Sequence, residues 1–299
     1  MRLQASWPNP PRRLRRVIGL LLVDKPAGPT SFAVIRRLRP LTGPKVGHAG
    51  TLDPFATGLL LVLAGRATRL ATFLSGLDKR YRAVVQFGAV SSSLDPEGEI
   101  SHTGGRTDAA AVGEAAAALT GEVLQAVPLA SAVRVAGERS YARMRRGEIE
   151  APPPRMVTIE QLEVVSFDEQ AQRAVIDVRC SKGTYVRQIA ADLGAATAAG
   201  GYCIELRRTE VGEFTVDRAA SPERILEDGD GPWMIQPREA LPHLPERVLD
   251  GRELEDVLHG RMLPAAGETG PVRLVHDRRL VAIGRPDERG LRPAVVLGA

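Results

Sequence analysis

The chain has 299 residues, 43% apolar and 25% charged, the balance of a water-soluble globular protein with room for one large domain or two ordinary ones. Its formal charge is +4 and its pI near 9.4, which suits an anionic partner without requiring one. Two cysteines, Cys180 and Cys203, without C-x-x-C or clustered Cys/His spacing argue against a disulfide framework or zinc site, so a reducing, cytoplasmic setting is expected. No apolar stretch approaches the roughly 18–20 residues that span a membrane.

Residues 1–16 are rich in Pro and Arg and lack apolar periodicity, the pattern of a mobile basic tail. Four arginines at 12, 13, 15 and 16 then precede the apolar run 17–23, in the outline of a signal peptide. The run is short, Asp24 and Lys25 end it, and no small-x-small cleavage site follows. A buried strand over 19–23 is therefore expected, with further strands over 59–64 and 81–87. Asp108 reads as the N-cap of a helix through the alanine-rich stretch to Leu119, with Gly121 just beyond. Ala174, Ile176, Val178 and Cys180 alternate with Val175, Asp177 and Arg179, the period of a half-buried strand. Residues 184–196 read as a helix carrying Ile189 and Leu193 on one face, and 204–216 as extended chain. This order predicts an α+β fold with a mixed, mostly antiparallel sheet. Near 217–240 the pattern breaks into E-D-G-D-G-P, a predicted linker. Short strands over 271–276, 280–284 and 293–297 then suggest a separate β-rich domain of about 60 residues. The division is thus 1–16 tail, 17–238 main domain and 239–299 small domain.

Arginine dominates the basic residues, and the four lysines, Lys25, Lys45, Lys79 and Lys182, fall in D-K-P-A-G, P-K-V-G-H-A-G, D-K-R-Y and S-K-G-T-Y. A lysine surviving in such a background points to a site that needs a compact ammonium on a flexible stem. The densest constellation is G-H-A-G-T-L-D-P-F-A-T-G over 47–58. Its glycines permit unusual dihedrals and close backbone approach, and Pro54 restricts Asp53. A carboxylate on such a loop suits a positioned nucleophile or base; an ordinary Asp-Pro turn has the same spacing.

The 47–58 segment resembles the signature motif of the TruB-type tRNA pseudouridine synthases. Four more segments agree in chain order: V-D-K-P-A-G from Val23, K-R-Y-R-A from Lys79, C-S-K-G-T-Y-V-R from Cys180 and L-R-R-T-E-V-G-E-F from Leu206. The resemblance covers about 18–216, and more loosely the segment from about 240 resembles the small RNA-binding PUA domain of bacterial members. It implies isomerisation of the T-loop uridine, position 55 of tRNA, without metal or cofactor. The base is flipped out, its N1–C1′ bond broken and a C5–C1′ bond made.

By resemblance Asp53 is the catalytic carboxylate, Arg187 its ion-pair partner, and Tyr81 the tyrosine that stacks on the base and moves a proton. His48 matches the histidine that packs into the emptied T-loop. Tyr185 and Leu206 match residues lining the uracil pocket. Lys25, structural or phosphate-facing, and Lys182 complete the substrate-binding set. Taken alone, Tyr81, His48, Tyr185 and Leu206 also read as ordinary strand or core residues. The partner implied is the T-arm stem-loop of tRNA, with a monomer as the working unit. The chain departs from the family pattern at S-S-S-L-D over 91–95, where T-x-T-x-D is usual, at Ala130 and Arg134, and at G-Y-C over 201–203. A guide-dependent pseudouridine synthase subunit and a tRNA-folding chaperone are the alternative readings.

Overall fold

A computed structural model describes residues 17–129, 152–229 and 231–298, with the backbone alone at 134–135 and 138–139. The expected tail 1–16, Ala130 and the Arg134 side chain lie outside the described residues. The main body is a ten-stranded mixed sheet. Its principal order runs Met234–Ile235, Gly19–Lys25, Thr57–Ala64, Gly201–Val211, Lys79–Phe87, Arg173–Cys180, Arg155–Asp168, Gly121–Gln125. All these neighbours are antiparallel except Gly201–Val211 beside Thr57–Ala64. The short strands Val46–His48 and Phe214–Thr215 attach to Thr57–Ala64 and Gly201–Val211.

The apolar run after the N-terminal arginines is a strand, and Leu20 to Val23 are fully buried. A strand enclosed on both faces needs an unbroken apolar run, which is what 19–23 supplies. Lys79–Phe87 and Arg173–Cys180 alternate instead: Ala174, Ile176, Val178 and Cys180 are buried while Arg173 and Arg179 face water. Helix Ala109–Ala118 begins at Asp108, whose carboxylate accepts from Ala111 N at 2.9 Å. Helix Val186–Ala196 buries Ile189 and Leu193 on its inner face. The extended segment expected over 204–216 divides at Gly212 (φ +54°) into two antiparallel pieces, and 216–218 is a turn of 3-10 helix.

The predicted linker is instead part of the main body. Ser221 caps a helix, Pro222–Asp228, which ends at Gly229 (φ +73°). The chain then adds an edge strand by pairing Ile235 with Leu20. Trp233, Ile235, Ala240 and Leu241 are buried in the main core, so the 238/239 division falls within packed structure. Its glycines and proline serve as helix caps and turns between apolar anchors.

The C-terminal residues form a separate four-stranded sheet ordered Glu246–Val248, Val272–His276, Arg279–Asp287, Gly290–Val296. The first strand and the helix Gly251–Leu258 went unpredicted, although a capping box links Asp250 and Glu253. Leu249, Val257, Val272, Leu274 and Leu291 make a small core of their own. Val275, Leu280, Ile283 and Leu297 pack into the main core, and Arg66 donates to Leu297 O at 2.7 Å.

Candidate active site

Strands Val46–His48 and Thr57–Ala64 pair antiparallel, and residues 49–56 form the loop between them. Three side chains from distant segments fasten it. Ser31, first residue of helix Ser31–Thr42, donates to Leu52 O and accepts from Leu52 N, both at 2.9 Å. Lys25 Nζ donates to Pro26 O at 2.8 Å, Pro54 O at 3.1 Å and Ala56 O at 2.6 Å. Arg208 donates through Nε to Leu59 O at 2.7 Å and through Nη2 to Gly50 O at 3.1 Å. The carbonyls of Gly50, Pro54 and Ala56 lie in the loop, outside the strand ladders, and a backbone carbonyl withdrawn from water requires such a partner. At Gly58 a β-carbon would lie 2.3 Å from Arg208 O, so only glycine lets the two strands meet there.

The Lys25 ammonium is fully buried with its donors directed to these carbonyls, so it braces the loop and does not face a phosphate. Burial pushes its pKa down to about 8, with Asp53 opposing the shift.

Asp53 lies at the centre of the loop with about a third of its side chain exposed (34%). Arg187, in the first turn of helix Val186–Ala196, is buried, and its Nε stands 2.9 Å from Asp53 Oδ2. The same guanidinium donates through Nη1 to Asp95 Oδ2 at 2.9 Å and Ser93 O at 2.7 Å. One arginine thus serves two carboxylates. Asp95 is fixed in turn: Ser93 Oγ donates to Oδ1 at 2.5 Å, and Glu97 N donates to it at 3.1 Å. Ser91 Oγ donates to Asp95 O at 2.5 Å, so the serines that replace the family's threonines keep their hydroxyls in use. Burial raises the Asp53 pKa above the ordinary aspartate value; Arg187 and Lys25 oppose this and Asp95 adds to it.

A cleft of about 240 Å³ opens over Asp53 and Arg187, lined also by Tyr81, Lys79, Tyr185, Leu206 and Arg208. Tyr81 projects from strand Lys79–Phe87 and is nearly buried; desolvation pushes its phenol above the usual value, while Arg208 opposes. Lys79 lies beside it, donating to Ser75 O at 3.0 Å and also to Leu77 O, and burial lowers its pKa to about 8. Tyr185 precedes the Arg187 helix, and Gln125 holds its backbone by donating to Tyr185 O and accepting from Tyr185 N. Among the described residues, no group of three or more His, Cys, Asp or Glu side chains is placed to hold a metal.

Of the residues singled out in the sequence, Asp53, Tyr81, Arg187, Tyr185 and Leu206 converge on this cleft. Lys25 lies beneath the loop, and Lys182 is exposed next to the lining residue Gly183. His48 ends the strand that leads into the loop, half-buried and outside the lining. Asp95 and Arg208 are additional members of the assembly that the sequence reading left unassigned. Both stand in segments already noted, S-S-S-L-D and L-R-R-T, and the signal was a charged residue amid positions that alternate into the core.

The chain superposes on chains of solved structures. TM-scores are 0.72 to a chain of "a Cbf5-Nop10-Gar1 Complex" and 0.71 to one of an "H/ACA RNP bound to a substrate RNA containing 2'-deoxyuridine". These matches cover 94% of this chain and 85% and 86% of the others, at 24% and 22% identity, and show a shared fold. A family model described as TruB family pseudouridylate synthase, N-terminal domain, matches residues 37–186. The "tRNA pseudouridine synthase B" of Arthrobacter sp. (strain FB24) is 42% identical over 84% of each chain. That of Thermobifida fusca (strain YX) is 40% identical over 93% of this chain and 98% of the relative. The chain belongs to the TruB family of pseudouridylate synthases.

Proposed function

We propose that the protein isomerises the T-loop uridine of tRNA, position 55, to pseudouridine, with Asp53 as the catalytic carboxylate. The observation that carries this reading is the Asp53–Arg187 contact of 2.9 Å at the floor of a cleft lined by Tyr81, Tyr185 and Leu206. Relatives that share about two residues in five over nearly the whole chain bear the name tRNA pseudouridine synthase B, which favours this over a guide-dependent subunit. A chaperone would have no need of a carboxylate fixed by a buried arginine.

The target base must leave its stack to reach Asp53, at a cost of a few kcal/mol that new contacts offset. Tyr81 and Leu206 supply faces for the uracil, and His48 fills the space vacated in the loop. The reaction breaks N1–C1′, turns the base and joins C5 to C1′; the proton leaves C5 and N1 gains one, so no cofactor is consumed. Asp53 must be ionised, to attack the base or sugar or to stabilise positive charge at C1′. Arg187 serves this by favouring the charged form and fixing the carboxylate's direction. Tyr81, a neutral phenol at physiological pH, is placed to move the proton. One chain carries every residue of the site, and a monomer is the working unit. The C-terminal sheet is assigned as a PUA-like module binding tRNA away from the cleft, with Lys182 facing phosphate beside it.

Release of tritium from C5-labelled uridine in a T-arm hairpin tests the reading. The expected outcome is release in step with pseudouridine formation; full retention of label on that hairpin and on intact tRNA refutes it.

A further inference from the structure

Arg155 opens strand Arg155–Asp168 and lines the cleft, yet none of the contacts that fix Asp53 and Arg187 involves it. Its guanidinium lies between two surfaces. On one side its Cζ is 4.6 Å from the centroid of the Tyr185 ring. On the other is the backbone of Gly183, where an added β-carbon would come within 3.3 Å of Cζ and 3.5 Å of Nε and Nη1. Gly183 has φ +90° and its carbonyl accepts from Arg155 Nη2. The glycine of S-K-G-T-Y therefore makes room for an arginine contributed by another strand.

This cation is held but not neutralised. Among the described residues no carboxylate forms an ion pair with it, and its Nε is buried without a hydrogen-bond partner. The residue is half-buried, so its charge stays in reach of an anion at the cleft while the packing on Tyr185 and Gly183 fixes its direction. Nη1 makes no hydrogen bond to a described residue and remains available beside the cleft, where it can donate to a phosphate oxygen.

We propose that Arg155 binds a backbone phosphate of the nucleotide that enters the cleft. The inference rests on reading the cleft as a uridine site. With the base over Asp53, the phosphates flanking its sugar remain on the side of the cleft where Arg155 waits on its Tyr185 platform. Lys182, exposed next to Gly183, adds positive charge on the same rim. Arg155 is thus an anchoring residue that secures the flipped nucleotide by its backbone, whatever the base.

The test is a cycle of two proteins and two RNAs, read as equilibrium affinity. The parent protein and Arg155→Gln each bind a T-arm hairpin, and then the same hairpins with a neutral methylphosphonate on the 5′ or 3′ side of the target uridine. The parent should lose at least about tenfold in Kd at one of these positions, the scale of a charge-assisted contact. Arg155→Gln should lose as much on the native hairpin and be indifferent to the methylphosphonate. Its slope of log Kd against log salt should fall by about 0.7–0.9, one phosphate's share. Arg155→Lys, which keeps the charge, should fall between, and it decides the matter if the glutamine variant fails to fold. Unchanged affinity, or equal loss on charged and neutral RNAs, overturns the proposal and leaves Arg155 as a prop for Tyr185. Tritium release by the parent protein reads the proposed function separately, so the two can fail independently.

Discussion

Neutralising Asp95 should make the protein less stable and its acid limb more tolerant of low pH, two effects of opposite sign from one substitution. In the native protein Asp95 is buried, with Oδ2 2.9 Å from Arg187 Nη1 and Oδ1 accepting from Ser93 Oγ and Glu97 N. Asn has the same shape but one acceptor oxygen in place of two. Whichever way the amide turns, its NH₂ meets either the Arg187 guanidinium or the Glu97 N–H, donor against donor. One charge-assisted hydrogen bond is lost, worth about 1.5–3 kcal/mol. The figure stays below the roughly 3–5 kcal/mol for breaking a buried pair, because Arg187 keeps Asp53 and Ser93 O. For a body of this size that is a fall of about 3–12 °C in melting temperature.

The sign of the pH effect follows from the same contacts. The Asp95 charge helps hold the Asp53 pKa above the ordinary value, and without it Arg187 pairs with Asp53 alone. The Asp53 pKa should drop, and because the ionised form is the active one, the acid limb of the rate profile should move to lower pH. Thermal melts and initial tritium-release rates across acid and neutral pH, for parent and Asp95→Asn, measure both. An unchanged melting temperature, or a limb moved to higher pH, would refute the shared-arginine account.

Asp53→Asn should abolish turnover while hairpin affinity stays within a few fold, as measured by tritium release and titration on the same RNA. Tyr81→Phe keeps the ring and loses the proton; turnover equal to the parent's would leave stacking as its only role. Arg208→Met strips donors from Leu59 O and Gly50 O, so stability should fall by about 3 kcal/mol at roughly 1.5 kcal/mol per bond. Its kcat should fall up to about a hundredfold as the Asp53 loop shifts, and a normal kcat in a destabilised variant would separate the two roles. Truncation after Arg238 removes Ala240, Leu241 and the docked face of Val275, Leu280, Ile283 and Leu297. At about 1.5–3 kcal/mol for each large side chain left unburied, the remaining body should melt well below the full chain, which scanning calorimetry checks.

Features that depend on neighbours in the chain were legible in the sequence. The alternation over 174–180, the Asp108 cap and the unbroken apolar run over 19–23 each express a local rule of burial or capping, and each formed as read. The 47–58 segment was conspicuous because a loop that must hold one carboxylate concentrates its glycines, proline and aspartate in contiguous positions. Contacts between distant segments were settled by tertiary structure. Arg187 meets Asp95 across 92 positions, and Arg208 reaches Gly50 across 158, through strand registers that no local period encodes. The segment 217–240 shows the same limit from the other side. Its glycines and proline spell a break, but whether a break hangs free or turns back to add a strand depends on a vacant sheet edge beside Leu20. That edge exists only once the sheet has assembled, so the fate of Ile235 was decided by the fold and not by its neighbours in sequence.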